Sequence, residues 1–176
     1  MRSDEKIRLG ISACLLGEPV RYDGGHKRDR YLTDILGQYV EYIPVCPEHE
    51  CGLPVPREAM CLVGDPDDPR LVTIDSQIDY TEQMKRFSEP KMRKQEYEYL
   101  SGFIFKANSP SCGIGHIQVY DREGVPAGIG MGIFARLYME YYPHAVVGDE
   151  GELNDPGLSD ILLTQIFAGP YPEELK

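Results

Sequence analysis

The segment Ile7-Arg8-Leu9-Gly10-Ile11-Ser12-Ala13-Cys14-Leu15-Leu16-Gly17 opens on a short apolar run and closes on a glycine. A run of that length ended by a turn signal reads as a buried strand. Ile7–Ser12 is therefore expected to open the domain, with Cys14 just past its carboxyl end. The same pattern recurs downstream. Residues 39–45 make a second strand candidate, cut off by Cys46-Pro47, and residues 102–106 a third, running into Ala107-Asn108-Ser109-Pro110-Ser111-Cys112-Gly113. Between them, residues 31–36 predict a short helix stopped by Gly37. Residues 80–100 predict a polar helix that Pro90 kinks or splits. Residues 130–142 predict an amphipathic helix, with Ile133, Leu137 and Tyr141 repeating every four positions. A C-terminal helix is expected over 159–167 with Ser159 as its N-cap. Residues 62–74 read as a hairpin-like excursion, Ile117–Tyr120 as a brief edge strand and 145–147 as a small strand. The 46–57 stretch carries three prolines and a glycine and is expected to be non-helical. Strands alternating with helices predict the α/β class: a single three-layer domain over 1–176, its sheet mostly parallel with helices on both faces.

Composition sets bounds around that reading. At 176 residues the chain fits one domain of the usual size, about 150 residues. Its 41% hydrophobic content is too high for disorder. Eighteen Lys and Arg against 29 Asp and Glu leave a formal charge of −11, which repels phosphate backbones and argues against duplex nucleic acid as a partner. Four of the first six residues are charged, and no apolar run approaches the 18 or more residues that span a bilayer, so no membrane partner is expected. Five cysteines, an odd number behind no apolar leader, argue against a secreted disulfide framework and for the cytoplasm.

Three of those cysteines share a setting: Cys14, Cys46 and Cys112 each follow a strand candidate. In open α/β sheets the carboxyl ends of parallel strands lie along one edge, where ligands gather. If the three strands are parallel, the three thiols converge there. Thiolates suit zinc, copper or an iron–sulfur cluster. Structural zinc takes four ligands, commonly paired as Cys-x₂₋₄-Cys; Cys46 and Cys51, five apart, stand at the wide end of that spacing, and no second pair accompanies them. A 4Fe–4S cluster held by three thiolates keeps one iron without a protein ligand. The plainer alternative for any cysteine is a small buried hydrophobe; Cys61, between Met60 and Leu62, fits it.

Four motifs then carry a resemblance: Ile11-Ser12-Ala13-Cys14-Leu15-Leu16-Gly17 with Val20-Arg21-Tyr22-Asp23-Gly24-Gly25; Pro44-Val45-Cys46-Pro47-Glu48; Gly52-Leu53-Pro54-Val55-Pro56-Arg57; and Lys106-Ala107-Asn108-Ser109-Pro110-Ser111-Cys112-Gly113. Together they resemble the thiouracil desulfidase family, from about Ile7 to the C-terminal helix. The resemblance implies a 4Fe–4S enzyme that replaces the sulfur of 2-thiouracil or 4-thiouracil with oxygen, releasing sulfide without net redox chemistry. It implies Cys14, Cys46 and Cys112 as cluster ligands, one iron open to the substrate's sulfur, Glu48 as the acid/base group and Ser109 as its assistant. The sequence departs from the family pattern at Cys51, where a glycine is usual. Members that act on transfer RNA resemble fusions with a second domain. This chain's acidity and length point instead to a thiolated pyrimidine base or nucleoside.

Other readings of the same residues stay open at this level. The chain is alternatively a non-catalytic zinc or iron–sulfur module with Cys51 or His49 as fourth ligand, or a hydrolase using Cys112 or Cys46 as nucleophile beside His116 or His49. Glu48 is otherwise a solvated loop residue, and Ser109 a turn residue bonding its own backbone. Tyr22, Asp23, His26, Lys27 and Arg28 either recognise a uracil edge or nucleotide phosphate, or form a turn with solvated charges. Arg57 either pairs with a carboxylate or contacts substrate.

Overall fold

The computed structural model describes residues 6–168; the opening residues 1–5 and the closing residues 169–176 lie outside it. In chain order the elements are β1 (Ile7–Ser12), β2 (Val40–Val45), α1 (Pro47–Glu50), β3 (Met60–Asp65), β4 (Asp68–Thr73), α2 (Thr81–Met92), α3 (Gln95–Glu98), β5 (Gly102–Phe105), β6 (Ile117–Tyr120), β7 (Pro126–Gly130), α4 (Ile133–Tyr141), β8 (Val147–Asp149), α5 (Glu150–Asn154) and α6 (Pro156–Phe167). Short helical turns add Ala13–Leu16, Tyr31–Ile35 and Leu36–Gln38, the first and last of 3₁₀ type and the middle one a π-turn.

The fold is α/β, as the strand–helix alternation predicts. Its first sheet has the order β2-β1-β5-β8 and is parallel throughout. Parallel sheets bury both faces, and this one does. Leu9, Ile11, Val40 and Ile104 point to one side, against Leu32, Leu36, Leu153, Leu162 and Ile166. Val45, Phe103 and Phe105 point to the other, against Met84 and Met92 of α2 and Ile133, Phe134 and Tyr138 of α4. Gly10 is required on that side: a Cβ there would sit 2.1 Å from the Phe103 ring.

A second sheet, β4-β3-β6-β7, covers the far side of this layer; the sequence indicates its β3–β4 hairpin and β6 but not their assembly into one sheet. It joins two antiparallel hairpins through a parallel β3–β6 pairing, and Leu62, Leu71, Ile117 and Val119 turn its inner face to the core. β6 is thus an interior strand rather than the expected edge. Its partner β7 is rich in glycine and was missed.

Other boundaries move for identifiable reasons. Pro47 stands at the first position of α1, where its missing N–H leaves no bond unmade, so the proline-rich stretch contains one helical turn. Pro90 lies inside α2, and the break comes after Met92. The 31–36 helix resolves into a wide π-helical turn over Tyr31–Ile35 and a tight 3₁₀ turn running past Gly37 to Gln38. Gly130 closes β7, so α4 begins at Ile133; the 145–147 strand forms at Val147–Asp149. Asp155 caps α6 through the Gly157 and Leu158 N–H groups, and Ser159 is buried within the helix.

Candidate active site

All four strands of the parallel sheet end at one edge, and three of them hand the chain to a cysteine there. After β1, the turn Ala13–Leu16 carries Cys14, and the following loop folds back so that Lys27 N–H donates to the Cys14 carbonyl at 2.9 Å. After β2, Cys46 is the N-cap residue of α1. Its N–H donates to Glu50 Oε1 at 3.0 Å, and Lys91 of α2 holds the other Glu50 oxygen at 2.6 Å. After β5, the loop 106–113 carries Cys112. Ser109 Oγ accepts from the Cys112 N–H at 3.1 Å and the Ser111 N–H at 3.3 Å. The first N–H groups of α4 clamp the same loop, with Phe134 N–H donating to the Ser111 carbonyl at 2.9 Å. Gly132 lets the two backbones touch, since a Cβ there would meet the Ser111 carbonyl carbon at 2.5 Å.

The three cysteines line a single cavity of about 110 Å³, together with Ser12, Arg21, Tyr22, Glu48, Arg57, Lys106, Ser109 and Ser111. The convergence expected of strand-end thiols is therefore observed. All three thiols are raised. Burial is the main cause for each, pushing Cys14 up to about 11 with Cys46 adding to it, and Lys106 and Arg21 pull it back. Cys112, the most deeply buried, is raised well above the usual thiol value by burial, eased by the Ser12 hydroxyl and raised further by Cys46 and Cys14. Ser12 Oγ also accepts the Lys106 N–H at 2.9 Å, which fixes its place between β1 and β5.

Glu48 is the carboxylate of this cavity, and it is held on both oxygens. Ser111 Oγ donates to Oε1 at 2.7 Å, and Arg57 donates through Nε and Nη2 to Oε2, each at 2.8 Å. Arg57 reaches on to the Val20 carbonyl at 2.9 Å and the Pro54 carbonyl at 3.2 Å. Of the two choices left open by sequence, Arg57 takes the carboxylate. Ser111, fully buried, was not singled out; its signal is its place beside Ser109 in the same Ser-Pro-Ser-Cys turn. Lys106 pairs with Glu150 at the start of α5, whose other oxygen accepts the Ala107 N–H at 2.8 Å.

Several candidates stand elsewhere. Cys51 turns away from the cavity, donating to the Glu48 carbonyl at 3.2 Å and packing against the core, while His49 Nδ1 lies 3.4 Å from the Leu53 carbonyl. Neither lines the cavity, and His116 does not either, so the fourth-ligand and cysteine–histidine readings lose their geometry. Cys61 sits half-buried on β3. Of the 22–28 loop only Tyr22 lines the cavity: Asp23 caps its own turn, His26 accepts the Arg28 N–H, and Arg28 pairs with Asp34.

Three thiols from three strand ends share the cavity, and thiolates are donors that suit an iron–sulfur cluster. Among the described residues no three His, Cys, Asp or Glu side chains are grouped closely enough to hold one metal ion.

Comparison with known proteins agrees with this geometry. The chain is 28% identical over 151 residues to the uncharacterised protein YbbK of Bacillus subtilis (strain 168), covering 82% of this chain and 97% of that one. Among solved structures it is similar to the 4Fe–4S-dependent thiouracil desulfidase TudS, at 34% identity and a TM-score of 0.66, over 92% of this chain and 99% of that one. The model of the 2-thiouracil desulfurase family matches residues 9–150, a span that runs from within β1 through β8 and holds all three cavity cysteines, Glu48, Arg57 and Ser111, and by that match the chain belongs to the 2-thiouracil desulfurase family.

Proposed function

We propose that this protein is an iron–sulfur-dependent desulfidase that converts 2-thiouracil or 4-thiouracil to uracil. Water supplies the oxygen, hydrogen sulfide leaves, and no electrons are transferred. The observation that carries this reading is the meeting, in one cavity, of three strand-end cysteines with a carboxylate already oriented by Arg57 and Ser111. Cys14, Cys46 and Cys112 would hold a 4Fe–4S cluster. Bound there, it supplies a soft Lewis acid with one iron free of protein ligands, which makes a thiocarbonyl carbon more open to water.

The remaining work falls to the chain. Glu48 is held by three donors, two from Arg57 and one from Ser111, and Oε1 has room for one more. In this reading it takes the proton of the attacking water and returns it to the leaving sulfur or ring nitrogen. Arg57 and Ser111 aim it. Ser109 lines the cavity and, through the Cys112 N–H, fixes the turn that carries a ligand. The substrate is a free base or nucleoside rather than a polyanion, and the protein works as one domain in the cytoplasm. No helix of the described residues is long and apolar enough to cross a membrane.

Anaerobic reconstitution with iron and sulfide tests the proposal. The expected product is a brown protein with acid-labile sulfide that releases sulfide from thiouracil, and Cys14→Ala, Cys46→Ala and Cys112→Ala should each abolish both properties. One equivalent of zinc with no labile sulfide would sink it. Full activity in Cys112→Ala would overturn the ligand set.

A further inference from the structure

The cavity holds three cationic side chains, and two are fully engaged. Arg57 is spent on Glu48 and two carbonyls, and Lys106 on Glu150 and the Ala107 carbonyl. Arg21 differs. Its Nε is buried and has no hydrogen-bond partner. The carboxylate beside it, Asp23 Oδ1, stays at 3.7 Å and already accepts the Gly25 N–H at 2.9 Å. A buried donor left unmade costs roughly 1–3 kcal/mol, and such atoms in native proteins call for a specific partner. Two other buried side-chain atoms among the described residues share this condition, Tyr97 Oη and Arg136 Nε, and neither residue lines the cavity. Arg21 and its neighbour Tyr22 both do, with the guanidinium carbon 5.3 Å from the Tyr22 ring centroid.

We propose that Arg21 binds the oxo group the substrate keeps, the ring carbonyl oxygen that is not exchanged; this rests on the desulfidase reading. A thiouracil has one sulfur and one carbonyl oxygen. With the sulfur drawn to the cysteine end, the carbonyl is the strongest acceptor left on the ring. The unmet Nε belongs to a planar guanidinium on a side chain that lines the cavity, and a planar donor group suits an acceptor lying in the plane of a flat ring. A phosphate fits less well, because the other two cations are neutralised and the chain carries −11 overall. The inference makes Arg21 a specificity residue: it selects rings bearing an oxo group beside the thiocarbonyl system.

The test pairs a variant with a trimmed substrate. Wild-type holoenzyme is assayed on 4-thiouracil and on pyrimidine-4-thione, which lacks the 2-oxo group. The wild type should favour 4-thiouracil by about tenfold or more in kcat/KM, the worth of a hydrogen bond from a charged donor. Arg21→Ala should lose about that factor on 4-thiouracil, mostly through KM, and stay within about twofold of wild type on the trimmed ring, because the two deletions remove one interaction. Uracil, as competitive inhibitor or titrated by calorimetry, should bind Arg21→Ala about tenfold more weakly. Iron and labile-sulfide content are measured alongside; if the alanine variant loads poorly, Arg21→Gln and Arg21→Lys carry the same comparison. Equal losses on both rings, or unchanged uracil binding, would overturn the assignment. Failure of the desulfidase reading shows separately, as a wild type that releases sulfide from neither ring, and the dependence of uracil binding on Arg21 is read in either case.

Discussion

Glu48 accepts from Ser111 on one oxygen and from Arg57 on the other, and both members of the ion pair are nearly buried, with side-chain exposures of 6% for Arg57 and 12% for Glu48. Removing one partner of such a pair strands the other's charge, which costs about 3–5 kcal/mol, whereas replacing both with neutral groups is far milder. Arg57→Ala should therefore lower stability by more than the double variant Glu48→Gln/Arg57→Met, as read by urea denaturation. In the proposed reaction it should also reduce kcat by tenfold or more, since a carboxylate no longer aimed would not meet the water. Arg57→Lys should fail to rescue kcat, because an ammonium cannot reach Glu48, Val20 and Pro54 from one fork. Additive losses in the double variant would show that the pair is not the unit described. Sequence pointed to Glu48 through its Cys-Pro-Glu setting, and the structure puts it in the cavity. Sequence named Ser109, whereas the hydroxyl that bonds Glu48 is that of Ser111, although both line the cavity. The path of that loop, with left-handed backbone at Asn108 (φ 58°) and a close contact with Gly132, is set by tertiary structure.

At the level of elements, the cysteine loops are held less by their own sequences than by what packs behind them. The 110–113 turn gives its carbonyls to the first N–H groups of α4, and the close approach of Gly132 to Ser111 makes that possible. A methyl at position 132 would drive into the Ser111 carbonyl and the Cys112 N, at 2.6 and 2.7 Å, so the turn must move. Gly132→Ala should cost about 1–3 kcal/mol and cut iron retention after reconstitution. Gly115→Ala, where an added Cβ meets nothing within 4 Å, is the control and should retain its iron. Equal iron content in the two would show that the turn does not depend on this contact. The elements legible in sequence were those whose apolar run ended at a Pro or Gly: β1, β2, β5 and the β3–β4 hairpin. β7 was not, because Pro126-Ala127-Gly128-Ile129-Gly130 offers a single large apolar side chain and pairs through its backbone. The cap of α6 was misread for a different reason. Asp155-Pro156 combines a good N-cap with a proline at the first position and outcompetes Ser159 three residues on.

Across the whole molecule, the acidic surface and the aromatic core set opposite edges to the pH range of stability. On the acid side, the hydrogen bond from Arg136 holds the Asp68 carboxyl below its ordinary value, so its contribution is intact above pH 3.8 and fades as pH falls below that. The alkaline side is steeper. Tyr42, Tyr97 and Tyr138 are raised above the ordinary tyrosine value of 10.0, chiefly by burial, so each stays neutral in the fold while the unfolded chain ionises. The unfolded state then binds fewer protons, and stability falls as pH rises past 10, by up to about 1.4 kcal/mol per unit for each such tyrosine. Tyrosinate absorbance during an alkaline titration should separate into two phases: exposed tyrosines first, then a late group that ionises only as the circular-dichroism signal is lost. A single smooth titration of all 12 tyrosines ahead of unfolding would contradict the burial argument. Tyr97 allows a sharper form of the test. Its ring packs near those of Phe103 and Tyr138, and its buried hydroxyl has no hydrogen-bond partner. Tyr97→Phe removes an unsatisfied polar group and an ionisable one together. It should raise stability at neutral pH by about 1 kcal/mol and move the alkaline midpoint upward, and a loss of stability at neutral pH would mean that this hydroxyl finds a partner in solution.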